Sequence, residues 1–294
     1  MRIFITGAAG WVGSAVVREL VAARHQVTGL ARSDANAAKL TAAGAAVHRG
    51  NLDDLDSLRA GAAAAEAVVH CGFNHDFANY AAAAQTDLHA IEALAGALVG
   101  TNRTLLVTSG TALLAPGRLA VESDAAVAGP MPRRSEQAAL PFASQGVRVG
   151  IVRLPPTVHG AGDHGFVPIL VTTARDKRAA AYVGDGANRW PAVHVSDAGR
   201  LYKQAIERPF APGTAFHAVA EDGIAMRDIA GVIGRKLGVP VTSVAAGDAA
   251  AAHFGWFAHF AGLDAPASSA RTRDQLAWQP TGPQLIADLE ANYV

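Results

Sequence analysis

Gly7, Gly10 and Gly13 recur at every third position in Thr6-Gly7-Ala8-Ala9-Gly10-Trp11-Val12-Gly13, after the apolar run Arg2 to Thr6 and before a helical pattern reaching Arg24. A helix that opens directly after a parallel strand points unsatisfied amides and the positive end of its dipole into the turn. Glycine removes the Cβ that would keep a pyrophosphate away from that backbone, and the last glycine lets the helix approach the sheet. Gly7, Gly10, Trp11, Val12 and Gly13 are therefore candidate contacts of a dinucleotide. The following strand ends Gly29-Leu30-Ala31-Arg32-Ser33. No acid stands there to bind the ribose hydroxyls of NAD, whereas the Arg32 fork and the Ser33 hydroxyl suit a 2′-phosphate. NADP(H) is the expected cofactor.

A second group of reactive side chains falls further along. Ser109 and Thr111 follow an apolar run at its carboxyl end, where open parallel sheets place their ligands, and a neutral hydroxyl there can polarise a carbonyl oxygen. His75, His159, His164 and His194 lie in segments expected to face the same site and titrate near working pH. Arg189 could meet a phosphate. The histidines lack HExxH or similar spacing, so no metal is expected.

These residues need a scaffold, and the chain supplies one by alternation. Strands are expected over Arg2 to Thr6, His25 to Leu30, Ala46 to His48, Ala67 to His70, Arg103 to Thr108 and Val147 to Leu154. Helices fall between them, including a long one from Phe77 to Val99 and another over Glu136 to Gln145. This pattern implies an α/β fold, a Rossmann-type doubly wound parallel sheet covered on both faces. Beyond Leu154 the rhythm loosens, suggesting a smaller C-terminal substrate lobe. Residues 1–155 are assigned to the dinucleotide-binding domain, rejoined by about 186–210, and 156–185 with 211–294 to the substrate lobe. Met226 to Leu237, Asp248 to Ala261 and Pro283 to Tyr293 are expected helices.

The 294 residues are 50% hydrophobic and only 17% charged, with 25 basic and 25 acidic side chains. Such a balance argues against binding to nucleic acid, and no run is apolar enough for a membrane span. The single cysteine, Cys71, leaves no disulfide and suggests a reducing compartment, the cytoplasm.

The chain resembles the extended short-chain dehydrogenase/reductases, the group that includes NAD-dependent epimerases and dehydratases. The likeness rests on the glycine turn and on four further segments. Gly50-Asn51-Leu52-Asp53 resembles the stretch that touches adenine, implying roles for Asn51 and Leu52. Val69-His70-Cys71-Gly72-Phe73 is similar to the stretch on the nicotinamide side, implying Cys71, Gly72 and Phe73. Val152-Arg153-Leu154-Pro155-Pro156-Thr157-Val158-His159-Gly160 resembles the loop that places the nicotinamide, implying Pro155, Thr157 and Val158. Val193-His194-Val195-Ser196-Asp197-Ala198 resembles a strand and helix start beside the substrate lobe.

In such relatives the segment after Tyr182, which includes Asn188 and Arg189, approaches substrate. Tyr182, Asn188 and Arg189 thus join His75, His159 and His164 as candidate substrate contacts. The family's Tyr-x-x-x-Lys pair is missing: in matching register Pro132 replaces the tyrosine and Glu136 the lysine, while Asp87 stands where many relatives carry asparagine. Glu136 could instead accept bonds from the ribose hydroxyls. Ser109 and Thr111 are left as candidate catalytic hydroxyls, and Phe73, Phe77, Phe166, Trp190, Trp256 and Phe257 as an apolar chamber. The expected activity is NADPH-dependent reduction of a carbonyl-type small molecule. The alternatives are an NADP(H)-sensing regulatory protein without turnover, or a sugar-nucleotide epimerase/dehydratase. Extended relatives often pair through the two helices named above, so a homodimer is expected.

Overall fold

The computed structural model describes residues 1–76, 79–114, 116–126 and 132–293. The first half alternates strand and helix: β1 (Arg2–Thr6), α1 (Trp11–Ala22), β2 (Gln26–Ala31), α2 (Asp34–Ala42), β3 (Ala46–Arg49), α3 (Leu55–Ala63), β4 (Ala67–His70), α4 (Tyr80–Gly96), β5 (Thr104–Gly110), α5 (Ser135–Ala139) and β6 (Arg148–Leu154). There follow β7 (Thr157–His159), α6 (Phe166–Lys177), β8 (Ala180–Val183), β9 (Arg189–His194), α7 (Val195–Glu207), β10 (Thr214–His217) and β11 (Glu221–Ala225). The chain continues through α8 (Met226–Leu237), β12 (Val241–Val244), α9 (Asp248–Phe254), α10 (Ala258–Ala261), α11 (Ala270–Leu276) and α12 (Leu285–Asn292).

Seven parallel strands form the main sheet in the order β10-β6-β5-β4-β1-β2-β3. The order reverses direction at β1 and β4, and such a switch point opens a crevice at the strands' carboxyl ends. Ile3, Phe4 and Ile5 of β1 are all buried because helices cover both faces. Val16, Val17 and Leu20 of α1, Leu40 of α2 and Leu201 of α7 pack one face. Leu58 of α3, Ile91 and Leu94 of α4 and Ala138 of α5 pack the other. The many small residues set these distances: a Cβ on Gly199 of α7 would lie 2.9 Å from the Ala15 carbonyl oxygen of α1. The doubly wound Rossmann-type α/β fold expected from the alternation is present.

A three-stranded sheet (β11-β9-β7) and a two-stranded one (β12-β8) lie outside the main sheet. Trp190, Phe257, Ile229, Leu285 and Leu289 belong to a third core with α6, α8, α9 and α12. Thr214–His217 adds a seventh main-sheet strand beside β6, within a range the sequence reading gave to the substrate lobe.

Three expected helices differ from those observed. Phe77, where the long helix was expected to begin, lies outside the described residues, and α4 starts at Tyr80. The helix over Glu136 to Gln145 ends as α5 at Ala139 and continues as a tighter 3₁₀ stretch, since Pro141 has no amide to donate. Asp248 to Ala261 is broken at Gly255, whose φ of 59° belongs to the left-handed region.

Candidate functional site: a dinucleotide cleft and its walls

The glycine turn is built as a cradle. Gly7 has φ 67°, and a Cβ there would lie 2.6 Å from the Gly72 nitrogen; a Cβ on Gly13 would fall 2.1 Å from the Gly7 oxygen. The Gly10 amide donates to the Gly7 carbonyl at 2.9 Å. Gly10 is the N-cap of α1, no side chain among the described residues caps this helix and no acid sits in its first turn. The first-turn amides are thus left without a side-chain acceptor, which suits an anionic ligand. The residues present therefore fit the pyrophosphate of a dinucleotide. Trp11 adds a different function: its Nε1 donates to the Val158 carbonyl at 2.7 Å, tying the turn to β7.

At the end of β2, Arg32 and Ser33 are both exposed. The Ser33 Oγ accepts from the Asn36 amide and caps α2. Strand register sets Ala31 opposite Arg49, whose guanidinium meets Asp34 at 2.6 Å. Sequence spacing does not reveal the Arg49–Asp34 pair, because β3 reaches the end of β2 only through strand pairing. On the far side, Asn51 Oδ1 accepts from the Asp53 and Asp54 amides, and Leu52 is the nearest neighbour that a Cβ on Gly72 would meet.

The carboxyl ends of β4 and β5 carry a buried polar chain. Thr6 Oγ1 accepts from the Gly72 amide and lies 2.7 Å from His70 Nδ1; His70 Nε2 reaches Asp87 Oδ1 at 3.1 Å. Ser135 Oγ donates to the other Asp87 oxygen at 2.5 Å, and Arg133 donates to Ser135 and to the Thr108 carbonyl. The Arg133 guanidinium lies 4.2 Å above the Phe73 ring, which meets His75 edge-on and Tyr80 at a tilt. Burial alone would raise the Asp87 carboxyl, but the His70 bond, the Arg133 charge and the Ser135 bond outweigh it and lower the pKa. Packing around its ring, then the charges of Arg133 and His164, push His75 down towards the neutral form. His70 at the end of β4 carries no local motif with Arg133 and Ser135 at the start of α5, since only the fold brings the two segments together.

Several of the expected contact residues have protein partners of their own. Ser109 is buried, and its hydroxyl donates to Glu136 at 2.8 Å. Both Glu136 oxygens accept from Arg153, at 2.9 and 2.7 Å, so Glu136 and Ser109 share a buried ion pair. Thr111 differs, for its buried Oγ1 has no hydrogen-bond partner among the described residues, and the same is true of Thr157. Burial pushes the Cys71 thiol up to about 11, although the Thr108 and Tyr202 hydroxyls oppose the shift.

The same holds in the second lobe. Arg189 grips Asp264 with Nε and a terminal nitrogen, both at 3.0 Å, and is not free for phosphate. Asn188 donates to the carbonyls of Ala261 and Leu263, and the Tyr182 ring packs under Gly186. His159 is fully buried, with Nδ1 2.7 Å from Asp288. These four residues fasten the lobe. His164 does face the cleft, edge-on to Trp11. Trp190 and Phe257 are core, while Trp256 is 55% exposed. Pro155 is buried where β6 ends.

Comparison with known proteins agrees with this architecture. An uncharacterised protein of Schizosaccharomyces pombe is 49% identical over 294 residues, covering 99% of both chains. A 4-hydroxy-2-methyl-3-oxo-4-farnesyl-3,4-dihydroquinoline-1-oxide ketoreductase of Stigmatella aurantiaca is 29% identical over 232 residues, 71% of this chain and 65% of its own. The crystal structure of DesIV, a dTDP-glucose 4,6-dehydratase from Streptomyces venezuelae with NAD and TYD bound, superposes with a TM-score of 0.78 at 21% identity, covering 100% of this chain and 96% of that one. The NAD dependent epimerase/dehydratase family model matches residues 3–217, and with its glycine cradle at a Rossmann switch point the chain belongs to that family.

Proposed function

We propose that the protein is an NADPH-dependent oxidoreductase that reduces a carbonyl-type small molecule. The observation that carries this reading is the uncapped α1 N-terminus over the glycine cradle, with an exposed arginine in place of an acid at the end of β2. The ketoreductase relative supports a carbonyl substrate. Bound NADPH would supply hydride. Arg32 holds the 2′-phosphate. Thr111, at the carboxyl end of β5, is the hydroxyl that donates to the substrate oxygen. His75, whose ring meets Phe73 and which feels the charges of Arg133 and His164, passes the proton.

Calorimetric titration tests the cofactor assignment. NADPH should bind more tightly than NADH, and Arg32→Ala should narrow the difference by about 10- to 100-fold, the range for losing one charge-assisted pair. Equal affinities in the unmodified protein would remove the assignment. A screen of aldehydes, ketones and imines, read by NADPH absorbance, tests the reaction. One observation favours an NADP(H) sensor without turnover: Glu136, in the register of the family lysine, is locked to Arg153. Binding without turnover across the screen would support that reading. Sugar-nucleotide epimerisation or dehydration is compatible with the family and predicts no net cofactor consumption.

We further propose that residues 156–185 and 211–294 supply most of the substrate lobe, with β10 as the exception. A homodimer through the outward faces of α4 and α5, and residence in the reducing cytoplasm with Cys71 as a free thiol, complete the reading.

A further inference from the structure

The connection from β7 to α6, residues 160–165, lies across the glycine turn. Gly162 and His164 from this loop, with Gly10, Trp11, Ser14 and Lys39 from below, line a cavity of about 380 Å³. A Cβ on Gly160 would come within 3.3 Å of the Trp11 ring and 3.2 Å of His194 Nε2, so the loop begins pressed between the two lobes. It therefore forms a roof beside any dinucleotide seated on Gly7, Gly10 and Gly13.

That roof is held from the other end of the sequence. The Gly160 amide donates to the Tyr293 hydroxyl at 2.9 Å, and this hydroxyl donates to Asp163 Oδ2 at 2.8 Å. Asp163 Oδ1 accepts from the Gly165 amide at 2.6 Å. One phenol, carried just past α12, thus closes a ring of hydrogen bonds that joins both ends of the loop. The same helix secures the preceding strand through Asp288, which lies 2.7 Å from His159 Nδ1 and accepts from Asn292. Burial pushes the Tyr293 phenol well up, so it remains a donor at working pH. None of these groups is needed for a hydride transfer, and their common product is a fixed position for residues 160–165.

We propose that Tyr293 is a positioning residue of the dinucleotide site, acting through residues 160–165 as a latch that sets how fast NADP(H) enters and leaves. The proposal rests on the NADP(H) reading given above. Opening the roof requires the two bonds of the Tyr293 hydroxyl to break, and Tyr293→Phe removes both while keeping the ring.

The test is stopped-flow displacement of NADPH, followed by its fluorescence, from the full-length protein with excess NADP⁺ as chase. Tyr293→Phe should release NADPH about 5- to 30-fold faster than the unmodified protein. Association should quicken as well, so that the Kd changes by less than the release rate; a merely structural loss would weaken Kd without speeding association. Asp163→Asn, which keeps the side-chain size, should accelerate release in the same direction. Glu290→Gln removes the exposed Arg235 pair on the same helix without touching the loop, and should leave exchange unchanged. Tight NADPH binding with release rates within twofold across Tyr293→Phe and Asp163→Asn would overturn the latch. Failure of the unmodified protein to bind NADPH would instead overturn the cofactor reading, and the latch with it.

Discussion

Glu136 and Arg153 share two hydrogen bonds in the interior, and Arg153 also reaches the Glu122 carbonyl and His217. Removing one member strands the other charge away from water. Arg153→Met should therefore destabilise the fold by about 3–5 kcal/mol. Ser109→Ala loses one bond to a charged acceptor, about 1.5–3 kcal/mol. Urea denaturation measures both, and NADPH affinity of Ser109→Ala should stay unchanged because the hydroxyl points into the ion pair; a weakened affinity would return Ser109 to the cleft. The depressed Asp87 carboxyl has a pH signature. Its contribution is fully present above the ordinary carboxylate range and is lost as pH falls through its lower folded value. What the sequence made legible at this scale was local: Gly7, Gly10 and Gly13 act within one turn. The Ser109 pairing is not legible there, because its partner comes from α5 and that partner's charge is matched from β6, neither visible from the residues beside it.

Elements with an unbroken pattern were read closely. Met226–Leu237 was anticipated to the residue, and every strand of the first half lies where alternation placed it. Short elements of the second half, such as β8 and β12, are not legible, since beyond Leu154 no regular alternation of strand and helix frames a four-residue run as it does for β3 and β4. For α4 the sequence left two faces open to choice, and the structure makes it: Ala83 and Ala84 turn into the core, while Gln85, His89 and Glu92 stay exposed. The face available to a second copy is therefore the polar stripe, not the buried alanines. Light scattering should give twice the 30.1 kDa chain mass at micromolar concentration, and Ala82→Arg, on the exposed side, should favour the monomer. A mass of one chain for the unmodified protein would count against pairing through this helix.

At the scale of the molecule, the seventh strand has no counterpart in the alternating pattern. β10 docks on β6 with Thr214 opposite Gly150 and His217 opposite Arg153. The His217 amide donates to Thr272, and its ring reaches the Ser268 carbonyl, so the segment leading into α11 fixes this edge. During synthesis the ribosome delivers the first six strands well before it delivers the seventh. A nascent chain arrested just after Leu154 therefore carries a bare strand edge, with hydrogen-bonding groups open to any extended peptide nearby. Protease protection of arrested nascent chains should appear only once β10 and α11 have cleared the exit tunnel. Protection already present at Leu154 would mean that the six-stranded intermediate closes by itself. If it does not, the cell must shield this edge throughout the translation of the intervening residues, and a trailing-end truncation would be felt as aggregation rather than as a lost reaction.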